Sequence, residues 1–265
     1  MSFTELNSVE HYIIHQLSAT NLNDENVSET PLKQYCSEWQ FQSPEQLDRN
    51  ENEVLIDSLV RKALIRLNPE ISAKPELADE VIYKLRTILI SVNQVGLVKA
   101  NEEFRLWLTG EKTMPFGSNN EHITVRLIDF DNVSNNQYVI TNQYRIQNRE
   151  TKIPDVVMMI NGIPVVVGEA KTPVRPSVSW LDGANEVHNI YENAVPQLFV
   201  PNILSFATEG KELFYGSVRC PLEFWAPWRL ENDDEKIAKT LGLGEVGKEL
   251  KDLLSPERLL DILYN

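Results

Sequence analysis

Asp155, Glu169 and Lys171 are the residues of this chain whose types and spacing can do chemistry. They lie in Pro154-Asp155-Val-Val-Met-Met-Ile-Asn-Gly-Ile-Pro-Val-Val-Val-Gly-Glu169-Ala170-Lys171. Side chains on a strand alternate faces, so Glu169 and Lys171 share one face and Ala170 points to the core. Asn161-Gly162 separates two apolar runs, and a type I′ turn needs positive φ at both central residues, which Asn-Gly supplies. A hairpin there sets Asp155, near the start of one strand, beside Glu169, near the end of the next. Two carboxylates and a lysine then converge at one end of a sheet. Hydrolysis of a phosphodiester needs that set. Hard oxygen ligands hold Mg²⁺, the metal offsets phosphoryl charge and activates water, and a lysine orients or deprotonates the water and stabilises developing charge. The backbone carbonyl of Ala170 offers a further oxygen ligand. The same side chains can instead form a surface ion pair, worth about 0–1 kcal/mol. Against that, charges that end two runs as apolar as Val156–Ile160 and Ile163–Val167 are rarely decorative.

The elements that must position these residues are legible in part. Phe3, Leu6, Val9, Tyr12, Ile13 and Leu17 recur near helical spacing. Residues 20–32 are polar and acidic and suit a loop. Ser43-Pro44-Glu45-Gln46 supplies an N-cap, Pro at N1 and Gln at N3, predicting a helix to about Leu67. Pro75 opens another, with Leu77, Val81, Leu85, Ile88 and Leu89 on one face. Strands are expected over 122–129, 137–147, Ile153–Ile160 and Ile163–Lys171, a helix over 179–193, and short strands over 203–208 and 212–218. Residues 235–264 return to helical periodicity, interrupted at Gly242 and Gly244. The order predicts an α/β fold, a mixed central sheet flanked by helices with an N-terminal helical layer. Three regions are expected. Residues 1–120 form a helical region lending its first helix to the core, 121–230 the core, and 231–265 a C-terminal helical segment.

The 265 residues suffice for a sizeable core. No apolar run reaches the ~18 residues of a membrane span. The N-terminus lacks a basic region and cleavage site, and Cys36 and Cys220 are too far apart in sequence for zinc-ligand spacing. A cytoplasmic location is expected. The net charge of −14 argues against a tight autonomous DNA binder. Residues 140–180, however, carry Arg145, Arg149, Lys152, Lys171 and Arg175 against Glu150, Asp155 and Glu169. A locally basic site in an acidic chain suits a domain that cuts DNA delivered by something else.

The Asp…Glu-x-Lys pattern after a hairpin resembles the PD-(D/E)xK nucleases. More narrowly, the chain resembles the N-terminal nuclease region of the restriction (R) subunit of type I restriction–modification enzymes. The resemblance rests on Phe3-Thr-Glu-Leu-Asn-Ser-Val-Glu10, Asn142-Gln143-Tyr144, Ile153-Pro-Asp155, Gly162-Ile-Pro-Val-Val, Glu169-Ala-Lys-Thr-Pro173, Val195-Pro-Gln-Leu-Phe199 and Ala207-Thr-Glu-Gly210, in order along nearly the whole chain. It implies a restriction-endonuclease-like core, Mg²⁺ on Asp155, Glu169 and the Ala170 carbonyl, and Lys171 as the motif lysine. It also implies an acid from the first helix, with Glu10 the first candidate and Glu5 the second, and Tyr191, Gln143 and Arg175 as DNA-positioning residues. One feature of many R subunits, Gln-x-x-x-Tyr on the helix after the motif, is missing. Tyr191 matches the tyrosine but Val187 stands four before it, leaving His188 or Asn189 as substitutes. No phosphate-binding G-x-x-x-x-G-K-[ST] motif is present. The resemblance therefore implies an N-terminal piece of a longer subunit, with ATP bound in a motor domain further along. Double-stranded DNA and the methyltransferase and specificity subunits are the expected partners. Two other functions stay open: a non-catalytic clamp that couples motor to partners, and a stand-alone repair or mobile-element nuclease that cuts without ATP. Trp180, Trp225 and Trp228 are expected to pack, with base stacking or motor docking as the alternatives.

Overall fold

The computed structural model describes residues 5–22, 39–172, 177–229 and 245–265. Its centre is a seven-stranded mixed sheet. The strands are β1 (Gln40–Phe41), β2 (Tyr138–Asn142), β3 (Val156–Ile160), β4 (Ile163–Ala170), β5 (Leu204–Thr208), β6 (Leu213–Gly216) and β7 (Ala226–Pro227), and they lie side by side in that order. β1 with β2 and β4 with β5 run parallel, and the other pairs are antiparallel. Every residue of β3 and β4 is buried, so their unbroken apolar runs belong to strands covered on both faces.

The β3–β4 hairpin forms where the sequence predicts it. Asn161 and Gly162 have φ of 52° and 81°, the left-handed values that an Asn-Gly turn adopts at low cost. Gly162 is required by packing as well. A Cβ there would lie 2.7 Å from the Leu59 Cβ and 2.8 Å from the Ile56 carbonyl oxygen. The Ile56 N–H donates to the Gly162 carbonyl, docking helix α2 (Asp57–Leu67) onto the turn. Helices α3 (Leu77–Val95) and α4 (Leu97–Leu108) complete the N-terminal layer. The Asn101 amide ties α4 down by donating to the carbonyls of Val200 and Asn202.

Helix α1 (Glu5–Ser18) packs on β2, burying Val9, Glu10, Ile13, Ile14 and Leu17. The side chain of Glu5 lies outside the described residues. After Ser179, which caps it, helix α5 (Trp180–Asn185) runs on as a π-helical segment, Glu186–Tyr191. Two helices end the chain, α6 (Glu245–Leu253) and α7 (Pro256–Tyr264). The C-terminal pair folds back on the N-terminus: α6 packs on α1, and the buried Trp39 indole donates to the Leu254 carbonyl at 2.8 Å. Contacts therefore cross the boundaries expected at residues 120 and 230. The glycine interruption at 242 and 244 falls outside the described residues, as do most of the 20–32 loop and Cys36.

Three expected elements differ. The strand over 137–147 ends at Asn142, and Ile146–Gln147 pairs with Thr151–Lys152 in a separate two-stranded sheet. Residues 43–67 are not one helix. The capping box at Ser43 and Gln46 closes a single 3-10 turn, and α2 starts at Asp57. Val54, Leu55 and Ile56 are buried in succession, which one helix face cannot achieve. The strand over 122–129 shortens to Ile123–Thr124. Further on, the Asn68 amide takes a strand partner's place, accepting from the Arg126 N–H and donating to its carbonyl. No helix among the described residues is long and apolar enough to cross a membrane.

Candidate active site

The site grows from the ends of β2, β3 and β4. Pairing of β2 with β3 continues beyond Asn142 and ahead of Val156, as the Gln143 and Tyr144 N–H groups donate to the carbonyls of Asp155 and Pro154. Gln143 has φ of 46°, a left-handed kink that ends β2. Its side-chain amide donates to the Asp155 carboxylate at 3.1 Å and to Glu10 at 2.7 Å. Asn142 donates to the other Glu10 oxygen at 2.6 Å. Glu10 occupies the buried face of α1 with Ile13, Ile14 and Leu17, so its carboxylate is aimed at the sheet rather than at solvent. The second oxygen of Asp155 accepts from the Ala170 backbone N–H at 2.9 Å. That bond fixes Asp155 against the strand segment carrying Glu169 and Lys171.

Lys171 follows β4, held by its backbone N–H donating to the Thr208 carbonyl. Its ammonium bonds Glu169 at 2.7 Å and Glu186 at 2.5 Å. Glu186 in turn accepts from the Tyr191 hydroxyl at 3.0 Å. The structure thus brings Asp155, Glu169, Lys171, Glu10, Gln143 and Tyr191 into one chain of contacts. Arg175 lies outside the described residues.

Burial and like charge set the electrostatics. Burial, with Asp155 nearby, pushes the Glu169 carboxyl well above the usual range. Burial also raises Asp155, against the Ala170 N–H, and raises Glu10, against the two amides that donate to it. Lys171 is desolvated too, but the Glu169 and Glu186 carboxylates outweigh that and hold its ammonium firmly charged. Four carboxylates, Glu10, Asp155, Glu169 and Glu186, are set against one ammonium in this partly buried cluster.

The donor set fits a hard dication. One Glu169 oxygen is buried with no hydrogen-bond partner, which in a finished site is costly unless something else binds it. The excess of negative charge calls for the same complement. Among the described residues no three His, Cys, Asp or Glu side chains converge to enclose a metal by themselves. The carboxylates of Asp155 and Glu169 are hard oxygen donors, the kind that a small divalent cation takes as part of its shell.

Several sequence expectations resolve here. Neither His188 nor Asn189 stands in for the missing glutamine. Asn189 bonds Asn185, and the His188 ring faces Glu192, with Nδ1 at 3.6 Å. Glu186 and Asn142 join the cluster without a sequence signal that singles them out. Glu186 stands five residues before Tyr191, a separation that ordinary helical spacing puts on different faces and that only the π turn brings onto one. Among the tryptophans, Trp180 stacks on Phe214 with ring centroids 3.7 Å apart, Trp225 is buried, and Trp228 donates to Asp252.

Residues 21–224 match the family model described as the type I restriction enzyme R protein N terminus. The chain is 28% identical over 256 residues to the type I restriction enzyme HindI endonuclease subunit of Haemophilus influenzae, covering 91% of this chain and 24% of that protein. It is 26% identical over 257 residues to a protein of Methanocaldococcus jannaschii provisionally named as the type I restriction enzyme MjaIXP endonuclease subunit, covering 92% and 24%. The chain thus spans about a quarter of the length of these relatives.

Proposed function

Because the chain belongs to the family of type I restriction enzyme R protein N termini, we propose that it is the DNA-cleaving domain of an R subunit, hydrolysing phosphodiester bonds of double-stranded DNA. The observation that carries this is the convergence of Asp155, Glu169 and Lys171 at one end of the β3–β4 hairpin, with one Glu169 oxygen left open. Asp155, Glu169 and the Ala170 carbonyl would hold Mg²⁺, which supplies charge neutralisation at the scissile phosphate and an activated water. Asp155 is aimed by the Ala170 N–H and the Gln143 amide. Glu10, aligned by Asn142 and Gln143, adds a carboxylate at the edge of the cluster. Lys171 remains protonated between its two carboxylates and so offers a fixed positive charge to phosphoryl oxygens rather than a free base.

Sequence choice would come from elsewhere. The acidic chain carries no recognised base-reading module, and phosphate contacts alone specify no sequence. The methyltransferase and specificity subunits, and an ATP-driven motor on the same polypeptide, are the expected partners.

The test compares wild type with Glu169→Ala and Lys171→Ala in the intact subunit, assembled with its partners and supplied with ATP. Plasmid cleavage should be lost in both variants while ATP hydrolysis persists. Undiminished cutting would move the chemistry to another domain and leave this one as a clamp.

A further inference from the structure

Lys171 must be held in place by something other than its own strand. Its side chain is 17% exposed and its ammonium is shared between Glu169 on β4 and Glu186 on the helix across from it. Two local features set Glu186 and its partner Tyr191 in place. The first is Gly183. A Cβ there would sit 3.2 Å from the Ala207 Cβ and 3.4 Å from the Glu169 Cγ, so glycine lets α5 lie against β4 and β5 at this point. The second is the π segment. On an α-helix, residues five apart point about 140° away from each other. In the i→i+5 geometry of Glu186–Tyr191 they return to one face. The Tyr191 hydroxyl can therefore donate to one Glu186 oxygen at 3.0 Å while Lys171 takes the other at 2.5 Å. Tyr191 is itself buried and anchored, so this bond limits the rotamers open to Glu186.

We propose that Glu186 is a positioning residue for Lys171, a carboxylate bracket that the close approach at Gly183 presents and that Tyr191, brought round by the π turn, locks. This rests on the nuclease reading for its role in cleavage but not for the bracket itself. The bracket fixes the ammonium beside Glu169, whose other oxygen stays open. A π turn is a natural place to find such a device, since these turns are frequent at functional sites.

The experiment uses the intact subunit with its partners, as wild type, Glu186→Ala, Glu186→Gln, Tyr191→Phe and Lys171→Ala. Without metal or DNA, the acetylation rate of Lys171 by an N-hydroxysuccinimide ester is followed by mass spectrometry. With Mg²⁺ and DNA, binding and single-turnover cleavage are measured separately. Glu186→Ala should label Lys171 several-fold faster and cut about 10- to 100-fold more slowly, with DNA affinity unchanged. Glutamine can accept from Lys171 and donate to Tyr191, so Glu186→Gln should restore slow labelling and most of the cleavage. Tyr191→Phe should fall between them. Wild-type labelling in Glu186→Ala, or a Glu186→Gln variant as impaired as the alanine in both assays, would overturn the bracket. Undiminished cutting by Lys171→Ala would sink the nuclease reading instead, and the labelling rates would still decide the bracket.

Discussion

The Ala170 backbone N–H donates to the Asp155 carboxylate at 2.9 Å, across the open end of the β3–β4 hairpin. This bond joins residues fifteen apart in sequence and places Asp155 beside the strand segment that bears Glu169. The two acids share a buried neighbourhood, and each ionised form disfavours the other.

Mg²⁺ should therefore stabilise the folded chain by occupying both. At a concentration about 100-fold above its dissociation constant, linkage contributes about 2.7 kcal/mol, or about 5 °C in Tm. Glu169→Gln removes the ligand and the repulsion together. The expected result is an unchanged or higher Tm without metal and no rise on adding Mg²⁺, by calorimetry. A full Mg²⁺ shift in that variant would remove Glu169 from the metal site.

Gln143 spends its side-chain amide on two carboxylates at once. Gln143→Ala should leave Asp155 and Glu10 misaligned and weaken Mg²⁺ affinity about tenfold, the scale of a lost partner behind a metal ligand. Titration calorimetry reads this directly. Gln143→Glu, which adds a charge to an already acidic cluster, should be worse than alanine for stability without metal.

Glu192 lies outside the Asp155–Glu169–Lys171 cluster and carries a pH signature. Burial pushes its carboxyl up to about 7, against the Arg219 backbone N–H and guanidinium that favour the ionised form. A raised carboxyl binds its proton more tightly in the folded state than in the unfolded one. It therefore subtracts stability as pH rises from about 4.5 to about 7, by about 3 kcal/mol at most. Glu192→Gln should flatten that part of the profile, so the variant gains on wild type between pH 5 and pH 8 in urea denaturation. Parallel profiles would refute the assignment.

Gly168 precedes Glu169 and lies under the ring of Phe206, its partner across the β4–β5 ladder. A Cβ there would fall 2.1 Å from the ring's Cζ. Gly168→Ala must displace Phe206 and should destabilise the chain by about 1–3 kcal/mol, the usual cost of overpacking. Gly168→Ala with Phe206→Leu should recover part of it, because the clash partner shrinks.

Local signals decided much of this protein in advance. Period-two alternation, an Asn-Gly pair and two apolar runs suffice to place Asp155, Glu169 and Lys171 at one sheet end, because a tight hairpin has one register and a strand has two faces. The same local logic finds α1, α3 and the short strands beyond the motif. It fails where a residue's partner is distant. Ser43–Gln46 satisfies a helix cap whether or not a helix follows, and the burial of Val54, Leu55 and Ile56 decided that none does until Asp57. Arg126 pairs with the side chain of Asn68, which no strand pattern anticipates.

The site divides the same way. Glu10 stands out in sequence as an acid on the apolar face of α1, yet only packing on β2 brings it to Asn142 and Gln143, 132 and 133 residues away. Glu186 is one acid among many until a glycine contact lets its helix approach Lys171 and a π turn brings Tyr191 onto it. The sequence alone determined that Asp155, Glu169 and Lys171 meet at one end of the sheet, because hairpin geometry is local. Tertiary structure alone decided which further side chains aim and restrain them, because those contacts depend on how helices pack against the sheet.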